Sequence, residues 1–134
     1  MNIPATIPEQ AQGGRRILIV EDNSDAATSL ADLLEGLGCE TLIAVDGIEA
    51  IPKATQFRPN IILLDIGLPG MNGYEVSQAL RQTPGLSAVL IVAITGYGDP
   101  EDKREAYRAG IDLHLTKPVK VGFLKELIAV YCRE

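Results

Sequence analysis

Five short aliphatic runs recur along the chain, each followed by an amphipathic stretch: Ile17–Val20, Thr41–Val45, Ile61–Leu64, Val89–Ile94 and Leu113–Leu115. They are rich in β-branched residues, and three are almost uninterrupted. A strand that is apolar on both faces needs cover on both, which is the condition of a parallel sheet between two helical layers. The intervening segments read as those helices. Ala27, Leu30, Leu34 and Leu37 form one stripe closed by Gly38. Asp46 followed by Glu49 is a capping-box pattern opening a second helix, which Pro52 should kink or shorten. Gly73 to Arg81 is a short third helix. Asp99 as N-cap and Pro100 at the first helical position open a fourth, ended by Gly110. Leu124, Leu127, Ile128 and Tyr131 supply the buried stripe of the fifth. Right-handed crossovers assemble five such β–α units into a doubly wound α/β sandwich around a five-stranded parallel sheet.

At 134 residues the chain fits one domain with a real core, and its 46% hydrophobic content is that of a globular protein. Residues 1–14, with two prolines, two glycines and no periodicity, read as a flexible leader or linker, leaving 15–134 as the domain. A net charge of −6 argues against direct binding to nucleic acid or anionic lipid. No apolar run approaches the ~20 residues of a membrane span, and no secretory signal opens the chain. The expected compartment is the cytoplasm. Cys39 and Cys132 make no disulfide framework and read as reduced, partly buried small hydrophobes.

In open parallel sheets, sites form beyond the carboxyl ends of the strands. The residues that follow the apolar runs there are Glu21-Asp22, then Asp65, then Thr95-Gly96, then Thr116-Lys117-Pro118. Three carboxylates, a hydroxyl and an ammonium thus converge on one rim. Crowded carboxylates repel, and a hard, oxygen-seeking Mg²⁺ relieves them. No His or Cys lies near these positions, which argues against zinc. Asp65, central to the group, is a candidate nucleophile toward phosphorus, with Lys117 and Thr95 placed to hold phosphoryl oxygens. Singly, each residue has a duller reading: a helix-start acid, a strand-end turn residue, a solvated lysine. It is the combination that points to phosphoryl transfer. The stretch GLPGMNG (67–73) lacks the Gly-Lys-Ser/Thr ending of a nucleotide-binding loop.

The stretches ILIVEDN (17–23), IILLDIGLPGMNGYEV (61–76), AITGYGDPEDKREAYRAGID (93–112) and HLTKPV (114–119) closely resemble the receiver domains of two-component response regulators, the CheY-like family. The resemblance covers residues 15 to about 132 and implies a flavodoxin-like (βα)5 fold. It implies that Asp65 is the phosphoacceptor. Asp22 is then a direct metal ligand, Glu21 a ligand through water, and the Gly67 carbonyl the third protein contact to Mg²⁺. Thr95 and Lys117 match the phosphate-sensing hydroxyl and lysine, and Pro118 suggests a cis Lys117–Pro118 bond. Pro69, Gly70 and Gly73 match the turn beyond the acceptor. Gly67 and Tyr97 match positions that tune the phosphoryl lifetime. His114 departs from the pattern, since the family usually carries Tyr or Phe there as a switch residue. Histidine is smaller, more polar and titratable, and it is similar to what receivers of hybrid sensor kinases carry. The plain reading of His114 is a partly exposed residue on an edge strand.

The implied partners are a histidine kinase or histidine phosphotransfer protein as donor, and a downstream protein that reads the surface of the fourth helix, the fifth strand and the fifth helix. With the chain ending shortly after its fifth helix, action through a partner, onward phosphotransfer, or origin in a larger kinase all stay open. A non-phosphorylated pseudo-receiver is a second reading. A third is an aspartate-nucleophile phosphatase, which Gly67 disfavours by standing where the general acid–base would be.

Overall fold

The computed structural model describes residues 15–68, 71–96 and 103–132. The five apolar runs become five strands: β1 Arg16–Val20, β2 Glu40–Ala44, β3 Ile61–Asp65, β4 Leu90–Thr95 and β5 Leu113–Thr116. The helices between and after them are α1 Ser24–Gly36, α2 Gly47–Phe57, α3 Gly73–Gln82, α4 Lys103–Ala109 and α5 Val121–Tyr131. All strand pairings are parallel, in the order β2-β1-β3-β4-β5. The expected doubly wound α/β sandwich is the fold observed.

Alternation along the strands splits the core in two. Ile17, Ile19, Ile61, Leu63, Val92 and Leu115 face α1 and α5, whose Ala27, Leu34, Leu124 and Ile128 complete that layer. Leu18, Val20, Ile62, Leu64 and Ile91 face the opposite layer, with Ala54 of α2, Leu80 of α3 and Ala106 of α4. Strands buried on both faces explain why the runs lack polar alternation. Each fully buried Leu or Ile contributes about 1.5–3 kcal/mol, which fixes register as well as fold.

The helix boundaries follow local chemistry, with some departures from expectation. Gly38 and Gly110 adopt φ of 89° and 85° just beyond α1 and α4, the left-handed positions expected of them. Asp46 caps α2 by accepting from the Glu49 N–H at 2.8 Å. The reciprocal half of the box is shifted: the Glu49 carboxylate accepts from Val45 N–H and pairs with Lys53 one turn on. Pro52 does not shorten α2, which runs unbroken to Phe57. The fuller box is at α3, where Asn72 and Glu75 bond each other's backbone in both directions. Tyr131 is a correction: it is 44% exposed, while Cys132 beside it takes the buried place at the end of α5. The expectations for Asp99 and Pro100, for Tyr97, for Pro69 and Gly70, and for the leader 1–14 lie outside the described residues. Among the described residues, no helix is long and apolar enough to cross a membrane.

Candidate functional site

Strand register brings the charged residues together. Val20 is level with Leu64 across the β1–β3 pair, so Glu21 and Asp65 leave the sheet side by side. Thr95 is level with Thr116 across β4–β5, and the Lys117 N–H continues that ladder to the Thr95 carbonyl at 2.8 Å. Glu21, Asp22 and Asp65 each place a carboxylate oxygen within 4.8 Å of the others. Glu21 is buried, Asp65 half-buried and Asp22 exposed. Lys117 reaches in from β5, with Nζ at 3.1 Å from Glu21 Oε1 and 3.6 Å from Asp65 Oδ2. The Lys117–Pro118 bond is cis, as expected.

The electrostatics are strained in one direction. Burial raises the Glu21 pKa, as does its contact with the Asp65 carboxyl, while the Asn23 N–H and the Lys117 ammonium partly offset that. Partial burial works against charge on Lys117, yet its hydrogen bond to Glu21 and its attraction to Asp65 win, and its pKa is raised. All the donors crowded here are hard oxygens, which suits a magnesium-type cation and not a thiophilic one.

The remaining predicted residues sit around this group. The Gly67 N–H donates to Asp65 Oδ1 at 2.9 Å and so holds the carboxylate in a short turn. The family resemblance implied a role for the carbonyl of Gly67; its amide is legible only as an Asp-x-Gly turn signal. Gly73 closes that loop from below: its N–H donates to the Ile66 carbonyl, and a Cβ there would stand 2.7 Å from Ile66 Cα. Thr95 is buried, and its hydroxyl donates to the Leu115 carbonyl at 3.4 Å rather than to the acid group. His114 lies on edge strand β5, paired with Ala93. It is half-buried as expected, but its Nε2 is enclosed with no hydrogen-bond partner among the described residues. From Glu21, Asp65 and Lys117 a cavity of about 560 Å³ extends as an apolar trough over Leu30 and Leu33 of α1 to Val119.

The model of the response regulator receiver domain family matches residues 17–129. The chain belongs to that family. Receiver domains are signalling modules of two-component systems, and this one has the CheY-like fold. It is similar to the polar-differentiation response regulator DivK of Brucella anthropi, 32% identical over 87% of this chain and 95% of DivK. It is 37% identical to the DNA-binding response regulator MtrA of Mycobacterium tuberculosis over 86% of this chain, and the match spans 48% of MtrA, about half its length. Among solved structures, the receiver domain of sensor histidine kinase PA1611 from Pseudomonas aeruginosa, with magnesium coordinated in its active-site cleft, has a TM-score of 0.79 and 31% identity. That match covers 89% of this chain and 98% of the other.

Proposed function

We propose that this receiver domain accepts a phosphoryl group on Asp65 from a histidine kinase or histidine phosphotransfer protein in the cytoplasm, in a Mg²⁺-dependent reaction. The observation that carries this reading is the meeting of Glu21, Asp22 and Asp65 within 4.8 Å, faced by the Lys117 ammonium. The carboxylates of Glu21, Asp22 and Asp65, with the Gly67 carbonyl, are the groups that would hold the ion. Bound there, Mg²⁺ supplies charge neutralisation for the acids and for the incoming phosphoryl oxygens. The magnesium in the PA1611 receiver supports the same assignment by similarity.

An Asp65 oxygen attacks phosphorus, the bond from phosphorus to the donor nitrogen breaks, and that nitrogen leaves with the electron pair. The product is an aspartyl phosphate. Lys117 neutralises charge on the phosphoryl oxygens, and the Gly67 N–H keeps Asp65 aimed. The Thr95 hydroxyl exchanges its Leu115 carbonyl for a phosphoryl oxygen, with His114 next to Leu115 on the same strand as the switch residue. The added negative charge biases an existing equilibrium between two forms. The reading surface is that of α4, β5 and α5, where Tyr107, Phe123 and Val130 stand exposed. The DNA binding in MtrA's name is not carried over, because this chain matches only about half of that protein.

The test is labelling by an acyl phosphate. Wild type should label only with Mg²⁺ present, and Asp65→Asn should lose the label by about 100-fold or more. Full labelling of Asp65→Asn, or labelling indifferent to Mg²⁺, would sink the assignment.

A further inference from the structure

All five strands are parallel, so the chain enters β1 from the rim opposite the acid trio. There the Arg16 N–H donates to Asn60 Oδ1 at 2.8 Å, and the Asn60 N–H donates to the Arg16 carbonyl at 2.7 Å. Asn60 also lines a groove of about 820 Å³ that reaches α4 and α5, together with Pro59, Val89, Tyr107 and Tyr131. Tyr107 is 84% exposed, so its ring is open to a guest. Arg81 and Asp112 in the groove wall pair with each other at 2.7 Å and cancel in charge. Aromatic rings, proline and a balanced charge suit an uncharged, largely apolar guest.

Residues 1–14 lie outside the described residues and join the domain at this rim. They carry one charged side chain, Glu9, and the stretch IPATIP at 3–8 repeats Ile-Pro. We propose that residues 3–8 occupy this groove within the same chain, laying Ile3-Pro4 and Ile7-Pro8 against Tyr107 and Tyr131. Proline has a fixed φ and no N–H, and the residue before it favours extended backbone. Such a segment loses little entropy on an aromatic surface and leaves few donors unmet. The reach is sufficient. Pro8 stands seven residues before Arg15, up to about 23 Å of chain, whereas β1 to β5 is three strand spacings, about 14 Å. Gly13-Gly14 supply the bend. Tethering sets an effective concentration of the order of millimolar, so weak contacts are enough. Tyr107 belongs to α4 and Tyr131 to α5, so a seated leader bridges two helices of the proposed reading surface. That consequence rests on the proposed function; the docking itself does not.

The experiment is nuclear magnetic resonance on the isotope-labelled full chain. The expected result is nuclear Overhauser contacts from the Ile3 and Ile7 methyls to the Tyr107 and Tyr131 rings. The double variant Ile3→Asp, Ile7→Asp should lose them, and its amide shift changes beyond the leader should cluster at Val89, Tyr107 and Tyr131. Added peptide of residues 1–12, at about 1 mM or above, should return those shifts. Tyr107→Ala, at an exposed site, should also lose the Ile3 and Ile7 contacts to Tyr131. Shift changes confined to the leader itself would overturn the proposal and leave the groove to an outside partner. Contacts that appear only between a labelled and an unlabelled copy would overturn it in favour of a second copy as the occupant. The wild-type contacts decide even if a variant fails to fold. Asp65 takes no part in this readout, so failure here leaves the phosphoacceptor assignment standing.

Discussion

The two rims of one sheet handle charge in opposite ways. At the amino ends of the strands, Arg81 donates to the carbonyls of Ser87, Val89 and Gly110 and to the Asp112 carboxylate. Asp112 in turn accepts from the Ile91 N–H. Arg81 and Asp112 thus both meet complementary groups, and the network ties α3, β4 and the turn after α4 into one piece. At the carboxyl ends, three acids share one lysine, and the buried member of the trio has a raised pKa. A closed network is a structural clamp, and adding a ligand would only disrupt it. An open one holds repulsion that a cation and a phosphoryl group can relieve, which is what a regulated site requires. The same fold positions both, and the difference lies in whether the partners balance.

Arg81→Ala should break the clamp most severely. It strands several loop carbonyls and the Asp112 carboxylate, and denaturant unfolding should show a loss of about 2–4 kcal/mol. Wild-type stability in that variant would mean that the two rims do not differ as described. A smaller loss, about 1–3 kcal/mol by the same measurement, should follow Gly73→Ala, whose methyl meets Ile66 Cα and the Asp65 carbonyl. Because the backbone that must shift carries Asp65, this variant should also slow acyl phosphate labelling, whereas Arg81→Ala should leave labelling of the folded fraction intact.

The smallest effect has the opposite sign. Without a divalent cation at neutral pH, Glu21→Gln should stabilise the protein by up to about 1 kcal/mol, since the folded protein disfavours the Glu21 carboxylate. The sign follows from the raised pKa. The proton on Glu21 is bound more tightly in the folded state, so its contribution is full below the unfolded value of 4.5 and is lost as pH rises through the folded one. Melting curves across that window should therefore show a metal-free wild type that gains stability on acidification relative to Glu21→Gln. Parallel curves would remove the electrostatic half of the comparison.

How far the sequence reveals each rim differs for physical reasons. The acidic rim was legible because its residues directly follow buried strands, and parallel register then makes Glu21, Asp65 and Lys117 neighbours. The strands were legible because runs such as IILL at 61–64 leave few alternatives to burial on both sides. The Arg81 clamp was not legible: it depends on where the Gly110 turn and Asp112 come to rest far along the chain. Asn72 with Glu75 three residues on is a capping signal readable from sequence alone. Tyr131 was misplaced because helical periodicity cannot tell where the layer beneath a helix ends, and there Cys132 fills the gap. The Thr95 hydroxyl fell on the right rim, but its bond to the Leu115 carbonyl is set by the β4–β5 pairing, which spacing alone does not reveal.

The central claim is that the acid trio is incomplete without a cation, and magnesium titration followed by thermal unfolding tests it most directly. At Mg²⁺ about 100 times its Kd the wild type should gain about 2.7 kcal/mol. Asp22→Asn should weaken that binding by about tenfold or more, and the gain should fade as acid protonates Glu21. A melting curve unmoved by saturating magnesium, or moved equally in Asp22→Asn, would contradict the claim.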